Sequence, residues 1–366
     1  MKEKLVCLEV SHKTAPLAVR ERIAMDRDAL VDRLAVLRPV CSECVILKTC
    51  GRFELYVVSN EPCGRWFRYW ADLVDVPVAL FEPYCREFRG EAAVDHLFHV
   101  AAGLESPILG EDQILGQVRD AFLVANEVGT VGPILSSLFR GAIHVGKRAR
   151  HETAIGRTAR SYAELAFESF KDAFSQSRKV IVLGSGTLAR EVVLNLAKDG
   201  KHDLTVVSRH VRRAEVLASK ANGQARSLDE LATVIGESDI LIACTSSSRC
   251  LVKASMLRGV RRPLIFIDFG MPRNVDPDVA SFSNVQLRSL EQFVSYSHVT
   301  DEAIGAALHI IEGERSRFLQ WLAARRVAPL IAELRSLVDG LDADAARCMK
   351  RVVHDSIRRL REGAAA

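Results

Sequence analysis

The sequence predicts a multidomain α/β protein, with an N-terminal α+β unit, a doubly wound parallel sheet and a long helical C-terminal region. Three observations support this prediction. The chain has 366 residues, which is enough for two or three domains. After Lys179, short apolar strands alternate with helical segments, a pattern typical of a parallel sheet. Beyond about Leu287 the strands stop and only helical periodicity continues.

The composition is that of a globular protein with sizeable cores. Of its residues, 48% are hydrophobic and 26% are charged, which excludes a disordered chain. The net charge of +4 does not by itself require a nucleic-acid partner, and the basic segments 140–160 and 347–361 either contact phosphates or are solvated helix faces. The nine cysteines are an odd number, no secretory signal is recognisable, and no apolar stretch approaches the ~18 residues of a membrane helix. We therefore expect a cytoplasmic protein with free thiols and no membrane contact.

The N-terminal unit mixes strands and helices. Apolar runs predict strands at 5–10, 45–47 and 55–58. Apolar residues at helical spacing predict helices at 27–37, 65–74, 92–102 and 113–128. A helical pattern from 135 to 174 is expected to form more than one helix and to lead into the next domain.

One cysteine of this unit lies in a polar turn, in the run Lys48-Thr49-Cys50-Gly51-Arg52-Phe53-Glu54. The flanking apolar runs indicate strand, short connection, strand. A thiol at the edge of a sheet beside an arginine is placed to ionise and to meet a substrate. Arg52 can lower the pKa of that thiol, or hold a substrate carboxylate through two hydrogen bonds. The alternative, a buried structural cysteine, fits Cys7 and Cys244, which lie in apolar strands.

The second domain begins with a strand at 180–183 that runs into a glycine-rich loop, Gly184-Ser185-Gly186-Thr187-Leu188-Ala189, and a helix at 187–198. This loop fits G-x-G-x-x-A: the first glycine permits the tight turn, the second lets the backbone reach a pyrophosphate, and the small Ala189 lets helix approach strand. The amide groups at the start of the helix favour phosphate. The loop therefore predicts a Rossmann-like dinucleotide site, the alternative being a tight turn that binds no ligand.

The next strand, 204–207, ends at Ser208-Arg209. An NAD-selective site places an acid here, whereas an arginine suits a 2′-phosphate, so NADPH is the expected cofactor. The alternative is that Arg209 is an exposed loop residue. Two further strands are predicted at 240–243 and 264–267.

The C-terminal region carries an apolar helical stripe from Ile304 to Leu322, and this pattern is expected to continue until Pro329. Helical stretches at 330–341 and 345–361 are expected to close the chain. Long amphipathic terminal helices usually pack on a partner or on a second subunit.

Several blocks of this sequence, in order, resemble the glutamyl-tRNA reductase family. The blocks are Ser11-His12-Lys13-Thr14-Ala15-Pro16 with Arg20-Glu21-Arg22, Thr49-Cys50-Gly51-Arg52-Phe53-Glu54, His96-Leu97-Phe98, Ala101-Ala102-Gly103-Leu104-Glu105-Ser106, Leu109-Gly110-Glu111-Asp112-Gln113-Ile114-Leu115-Gly116-Gln117-Val118, Lys147-Arg148-Ala149-Arg150, and Pro272-Arg273-Asn274-Val275-Asp276-Pro277. The resemblance covers nearly the whole chain to about Ala332.

The resemblance implies a V-shaped homodimer with three parts. These are a catalytic, glutamyl-tRNA-binding domain at 1–145, an NADP-binding Rossmann domain with its leading helix at 146–290, and a spinal helix with a shortened helical dimerisation domain at 291–366. The family also implies a handover of product to glutamate-1-semialdehyde aminomutase.

The activity implied is the NADPH-dependent reduction of glutamyl-tRNA(Glu) to glutamate 1-semialdehyde, the first step of the C5 route to 5-aminolevulinate and haem. Cys50 would attack the ester and hold glutamate as a thioester, and His96 would assist proton transfer. The implied substrate-binding residues are Thr49, Gly51, Arg52, Ser106, Glu111, Asp112, Gln113 and Gln117. No metal site is expected, since Cys41 and Cys44 form C-x-x-C without a second ligand pair at zinc spacing.

Two other interpretations stay open. The sequence departs from the family motif at Gly51 and Phe53, where asparagine and threonine are usual, and Asp112 replaces a proline. A diverged paralogue that binds NADPH or tRNA without turnover would explain these departures. An oxidoreductase similar to shikimate dehydrogenase would explain the residues after Lys179, but not the N-terminal blocks.

Overall fold

Two β-sheets organise the chain, the first antiparallel and the second parallel. The computed structural model describes residues 4–60, 64–158, 162–245, 247, 249–289, 292, 299–339, 352–354 and 356–358. Within these residues no helix is both long and apolar enough to cross a membrane.

The first sheet has the strand order β2-β3-β1-β4. Its strands are β1 (Lys4–Ser11), β2 (Glu43–Lys48), β3 (Arg52–Ser59) and β4 (Arg86–Arg89). The predicted hairpin is confirmed: Lys48 pairs with Phe53, so residues 49–51 form the connection between β2 and β3. The short edge strand β4 was not predicted, because three of its four residues are charged.

Seven helices of the described chain accompany this sheet. They are α1 (Leu17–Arg22), α2 (Arg27–Leu37), α3 (Gly64–Val74), α4 (Val78–Phe81), α5 (Glu91–Ala102), α6 (Gln113–Val128) and α7 (Pro133–Glu152). The predicted helices at 27–37 and 113–128 are confirmed with the same bounds. Gly103 ends α5 in a left-handed conformation (φ 82°), which turns the chain toward the loop that leads to α6.

The second sheet is parallel, in the order β10-β9-β8-β5-β6-β7. Its strands are β5 (Lys179–Leu183), β6 (Asp203–Ser208), β7 (Gln224–Ser227), β8 (Ile240–Ala243), β9 (Leu264–Asp268) and β10 (Val285–Ser289). The chain order reverses between β5 and β8, and that switch point is where doubly wound sheets bind nucleotides. The predicted Rossmann-like architecture is confirmed.

Helices cover both faces of the second sheet, which therefore has a separate apolar core on each side. They are α8 (Ile155–Thr158), α9 (Tyr162–Ser169), α10 (Lys171–Phe174), α11 (Thr187–Asp199), α12 (Val211–Ala218) and α13 (Leu231–Glu237). The segment 135–174 thus forms several helices, as predicted.

A single 39-residue helix, α14 (Asp301–Asp339), follows the second sheet and packs on α5 and α7 of the first unit. At ~1.5 Å per residue it is roughly 58 Å long. The prediction that its pattern ends at Pro329 is wrong, because the helix continues through this proline. Pro329 is exposed, so the carbonyl left without an N–H partner one turn earlier can bond water. The stretch predicted at 345–361 lies mostly outside the described residues.

Candidate active site at the boundary of the two sheets

The β2–β3 connection presents Cys50 in a tight polar turn. The Thr49 hydroxyl oxygen accepts hydrogen bonds from the backbone N–H groups of Gly51 and Arg52, both at 3.1 Å. The Thr49 N–H donates to the Arg52 carbonyl at 2.9 Å, and the His12 N–H donates to the Gly51 carbonyl at 2.7 Å. Thr49 is therefore occupied in shaping the turn, and Cys50 lies at its tip.

Cys50 is packed against the core of the second sheet, together with Ile108 and Tyr162. Burial raises the pKa of its thiol to about 11, and the Glu111 carboxyl raises it as well, while the Tyr162 hydroxyl and the Arg20 guanidinium lower it. Arg20 also donates to the Cys50 carbonyl at 2.8 Å. Two cations interact with this thiol, Arg20 and Lys48, whereas the sequence predicts Arg52 in this role. At neutral pH the resting thiol is protonated.

Several buried polar atoms near this turn lack a well-directed hydrogen bond. They belong to His12 (Nδ1), Ser106 (Oγ), Glu111 (Oε2) and Tyr162 (hydroxyl), and Gln117 Oε1 on α6 is another such atom. Buried polar groups in native proteins are normally paired, and leaving one unpaired costs about 1–3 kcal/mol. Weak contacts link most of these groups, Ser106 to Glu111, Tyr162 to the Cys50 thiol and His12 to the Gly51 backbone, and a polar ligand at the thiol can compete for them. Sequence reasoning proposed Ser106, Glu111 and Gln117 as ligands of the substrate.

Glu111 is the titratable group of this pocket. Burial raises its pKa to about 7, against the smaller lowering effects of Ser106, Arg52 and Arg150. A carboxyl group with a pKa near the working pH can change its protonation state as ligands arrive. Its loop is held by Arg150, which donates to the Glu111 carbonyl at 2.6 Å and to the Ala101 carbonyl at 2.8 Å.

Arg52 lies on the other side of the turn, in a buried network. Its guanidinium donates to Glu54 at 2.7 Å and to the Glu105 carbonyl, with Glu9 at 3.5 Å. Both terminal nitrogens are therefore occupied, so a clamp on a substrate carboxylate would require Arg52 to exchange partners. His96 joins this network through Glu54.

Glu54 is the centre of the network, because it accepts from Arg52, from the Tyr56 hydroxyl at 2.7 Å and from His96 Nε2 at 2.9 Å. Burial raises its pKa, but the charges and hydrogen bonds of His96 and Arg52 outweigh burial and lower the pKa to about 2. Donor atoms of Cys7, Glu54 and His96 lie within 4.8 Å of one another, a set that could hold a metal ion. Glu54 is fully paired without one.

Gly51 and Phe53, the two residues that depart from the family motif, are each explained by a neighbouring side chain. A Cβ at Gly51 would lie 3.2 Å from the ring of Pro107, so the proline occupies space that a larger side chain at position 51 would need. Phe53 faces the opposite side of the strand, where it stacks on Trp70 with ring centroids 5.4 Å apart and is 3% exposed. Position 53 is thus a core position and not part of the pocket.

Asp112 and Gln113, also predicted as substrate ligands, lie at the start of α6, and their side-chain partners are Arg150 and Glu191. Asp112 is exposed and accepts from Arg150 at 3.1 Å. Gln113 hydrogen-bonds Glu191 of α11 and lowers the pKa of that carboxyl, which burial raises. Gln113 thus contributes to the contact between the two halves, whereas Asp112 pairs within the first unit.

A cavity of about 440 Å³ opens at the switch point of the second sheet. It is lined by Gly184, Ser185, Gly186, Thr187, Leu188, Ser208, Arg209, His210, Arg213, Cys244, Thr245 and Phe269, among others. Ala189 is fully buried beneath it. The Ser185 and Ser208 hydroxyls are 3.1 Å apart and bridge the ends of β5 and β6.

The glycine loop fits a dinucleotide. Gly184 has φ +123°, and a Cβ there would lie 2.6 Å from the Cys244 carbonyl oxygen, so glycine is required. A Cβ at Gly186 would meet nothing within 4 Å, which leaves open space above the start of α11, where a pyrophosphate is favoured. The first turn of α11 carries no acid that would repel it.

The two halves meet directly beside Cys50. The Glu21 carboxylate accepts from Arg273 Nη2 at 2.6 Å, from its Nε at 2.8 Å and from its backbone N–H at 2.7 Å. Arg20 lies 3.5 Å from the Met271 sulfur. Short helix α1 therefore connects the cysteine turn to the loop after β9. Sequence patterns single out neither Arg20 nor Tyr162 as site residues, because their roles depend on contacts with distant segments.

Both halves of the chain match models of known protein families. The model for "Glutamyl-tRNAGlu reductase, N-terminal domain" matches residues 8–153, and the model for "Shikimate / quinate 5-dehydrogenase" matches residues 164–295. A glutamyl-tRNA reductase of Geobacillus thermodenitrificans is 37% identical over 95% of this chain and 80% of its own length, and that of Bacillus subtilis is 32% identical over the same shares. The solved structure of glutamyl-tRNA reductase from Methanopyrus kandleri matches 98% of both chains, with 27% identity and a TM-score of 0.51.

Proposed function

The chain belongs to the glutamyl-tRNA reductase family, and we propose that it reduces the ester of glutamyl-tRNA to glutamate 1-semialdehyde through a thioester on Cys50. This reduction opens the C5 route to 5-aminolevulinate and tetrapyrroles. The observation that carries the mechanism is the position of Cys50, at the tip of a turn that packs against the core of the nucleotide-binding half.

The pocket suits the glutamyl group. The buried Glu111 carboxyl, which hydrogen-bonds the Ser106 side chain, is an acceptor that a substrate ammonium group can satisfy. An ammonium bound against Glu111 neutralises the negative charge that raises the pKa of the Cys50 thiol. The substrate thus helps to create the thiolate that attacks it, and the resting thiol stays protonated until it arrives.

Thioester formation follows from this geometry. The Cys50 sulfur attacks the ester carbonyl, the C–O bond to the tRNA breaks, and the thiol proton ends on the leaving ribose hydroxyl. Arg20 holds the Cys50 backbone and supplies positive charge beside the sulfur. His96 orients the Glu54–Arg52 network through its 2.9 Å hydrogen bond, and its part in proton transfer stays a prediction.

NADPH is the cofactor we propose for the switch-point cavity, where it would supply the hydride that releases the aldehyde. Gly184, Gly186 and the start of α11 would hold the pyrophosphate. Arg209, directly after β6, and Arg213, on α12, both line the cavity, and two guanidinium groups there favour a 2′-phosphate over a free ribose hydroxyl.

We further propose a homodimer formed by the C-terminal region. The first part of α14 is buried on the N-terminal unit through Ala303, Ala307 and Phe318. Beyond that contact, Trp321 and Leu330 are exposed. Light scattering on the full chain tests this proposal: twice the chain mass supports it, and a monomer contradicts it. Transfer of the aldehyde to an aminomutase and the boundaries 1–145, 146–290 and 291–366 stay predictions.

The rival interpretations have less support. The non-catalytic paralogue rests on Gly51 and Phe53, which the Pro107 contact and the Trp70 stack explain without loss of the site. The shikimate-dehydrogenase-like interpretation covers only the second half, residues 164–295.

The test is NADPH oxidation with glutamyl-tRNA by the wild type, Cys50→Ser and the control Cys85→Ser, which changes another partly buried thiol of the same unit. We expect Cys50→Ser to lose more than 99% of the activity, on the order of what nucleophile removal costs, and Cys85→Ser to retain it. Without NADPH, the wild type should retain a hydroxylamine-sensitive glutamyl group. Equal rates in Cys50→Ser and wild type would eliminate the thioester, and no rate in any variant would favour the paralogue.

A further inference from the structure

Tyr162 is a residue of the nucleotide-binding half that reaches the nucleophile of the other half. It is the first residue of α9 and is 3% exposed. It packs in the same core cluster as Cys50 and Ile108, and its ring lies 5.8 Å from that of Phe269, which lines the nucleotide cavity. The tyrosine therefore lies between the thiol and the cofactor site.

Its hydroxyl lies within hydrogen-bond reach of the Cys50 thiol and lowers the pKa of that thiol, and it makes no other hydrogen bond with a described residue. Buried tyrosine hydroxyl groups usually find a partner. Acylation turns the Cys50 sulfur into a poor acceptor, so the hydroxyl is then free to bond an oxygen of the acyl group.

Resting on the proposed function, we propose that Tyr162 donates its phenolic hydrogen to the carbonyl oxygen of the glutamyl group attached to Cys50. It would stabilise the oxyanion both when the thiolate attacks the ester and when hydride adds to the thioester. Tyr162 is thus a catalytic residue of the reduction.

Two backbone donors of this turn are already occupied, since the N–H groups of Gly51 and Arg52 both donate to Thr49 Oγ1. Arg20 Nη1 donates to the Cys50 carbonyl. Tyr162 is a buried hydroxyl donor whose one acceptor among the described residues is the Cys50 sulfur, and acylation weakens that acceptor.

The ionisation state of Tyr162 fits a donor. Burial, together with the Cys50 and Glu111 charges, raises its pKa well above its ordinary value of 10, so the phenol keeps its proton at every working pH. A carbonyl oxygen is only two bonds from the acylated sulfur, within reach of a donor positioned at that sulfur.

The chemistry balances with Tyr162 as a hydrogen-bond donor only. In the first step the S–C bond forms, the carbonyl π electrons move to oxygen, and the tetrahedral species expels the tRNA hydroxyl with the thiol proton. In the second step hydride from NADPH, which is oxidised to NADP⁺, adds to the thioester carbon. The resulting oxyanion re-forms the carbonyl, breaks the C–S bond and leaves aldehyde and Cys50 thiolate. Tyr162 gains and loses no proton.

The test compares Tyr162→Phe, which keeps the ring against Phe269, with Tyr84→Phe, which removes the hydroxyl of a half-buried tyrosine in the first unit's core. We expect Tyr162→Phe to lower kcat by about 10²–10³, as loss of one oxyanion donor does, with unchanged affinity for NADPH. Release of tRNA in a single turnover without NADPH should slow as well. Because the hydroxyl lowers the pKa of Cys50, alkylation of the thiol by iodoacetamide should shift to higher pH.

Each outcome of this test bears either on the role of Tyr162 or on the proposed function. Wild-type rates in Tyr162→Phe, with Cys50→Ser inactive, would overturn this inference and leave the thioester intact. Full activity in Cys50→Ser would instead overturn the proposed function. Loss of folding or of NADPH binding in Tyr162→Phe, seen by thermal unfolding and fluorescence titration, would assign the residue to structure and equally overturn the inference.

Discussion

Replacing Glu54 by glutamine removes the negative charge that holds together Arg52, Tyr56 and His96 beneath the cysteine turn. The substitution keeps the side-chain shape, so its effect is electrostatic. Arg52 would be left buried with Glu9 at 3.5 Å as its remaining acidic partner. Breaking a buried pair in this way typically costs 3–5 kcal/mol of folding free energy.

The pKa of Glu54 gives a second, independent value for this loss of folding free energy. It falls from 4.5 to about 2 on folding, and at about 1.4 kcal/mol per tenfold change in proton affinity this is ~3 kcal/mol. Since the folded pKa is the lower one, this stabilisation is present in full above about pH 4.5 and is lost as the pH falls through about 2. Glu54→Gln should therefore cost ~3 kcal/mol at pH 7 and ~2 kcal/mol at pH 3.5.

Urea unfolding followed by tryptophan fluorescence measures this cost, because Trp66 and Trp70 are both fully buried in the first unit. The matched control is Glu127→Gln, which changes an exposed pair with Arg27 and should cost no more than about 0.5 kcal/mol. A loss of unfolding free energy below about 1 kcal/mol in Glu54→Gln at pH 7, the size of an exposed pair, would refute this prediction. A loss that is no smaller at pH 3.5 than at pH 7 would refute it as well.

Three further predictions concern the two pockets. The pKa of Glu111 is raised to about 7, so its ionisation destabilises the fold as the pH rises from 4.5 through 7. In the same urea assay, Glu111→Gln should raise the unfolding free energy by up to ~3 kcal/mol at pH 8 and leave it unchanged at pH 4. The activity of this variant should fall. Gly184→Ala forces a Cβ to within 2.6 Å of the Cys244 carbonyl at φ +123°, and should weaken NADPH binding at least about tenfold in a fluorescence titration. Arg209→Ala should lower kcat/KM for NADPH by about 10–100-fold, the value of one charge-assisted bond, and leave that for NADH unchanged; equal losses for both cofactors would remove Arg209 from 2′-phosphate recognition.

The cysteine turn and the nucleotide loop could be predicted because their signals are local. Apolar runs on both sides of Cys50 specify a hairpin, and the glycine spacing at 184–186 specifies the strand-to-helix turn. Strands β4 and β7 could not be predicted, since they are short and rich in polar residues and depend on their neighbours for pairing.

The burial of Arg52 and Glu54 also could not be predicted. Charged residues that alternate with apolar ones along a strand usually mark a solvated face. Here that face is covered by α5, whose His96 supplies the third member of the network. Arg20 and Tyr162 pose the same difficulty: their partners are 30 and more than 100 residues away, and only the folded chain brings them together.

The ion pair between Glu21 and Arg273 has a consequence for the fate of the acyl-enzyme. The thioester is either reduced by hydride or hydrolysed by water. The side-chain contacts that join the two halves limit the access of water to it. While this pair joins the two halves, Cys50 is half-buried and packs in one cluster with Ile108 and Tyr162. A variant that breaks this ion pair would use up charged tRNA through hydrolysis of the thioester, without consuming NADPH. The ratio of aldehyde formed to tRNA released therefore measures the fraction of glutamyl groups that are reduced.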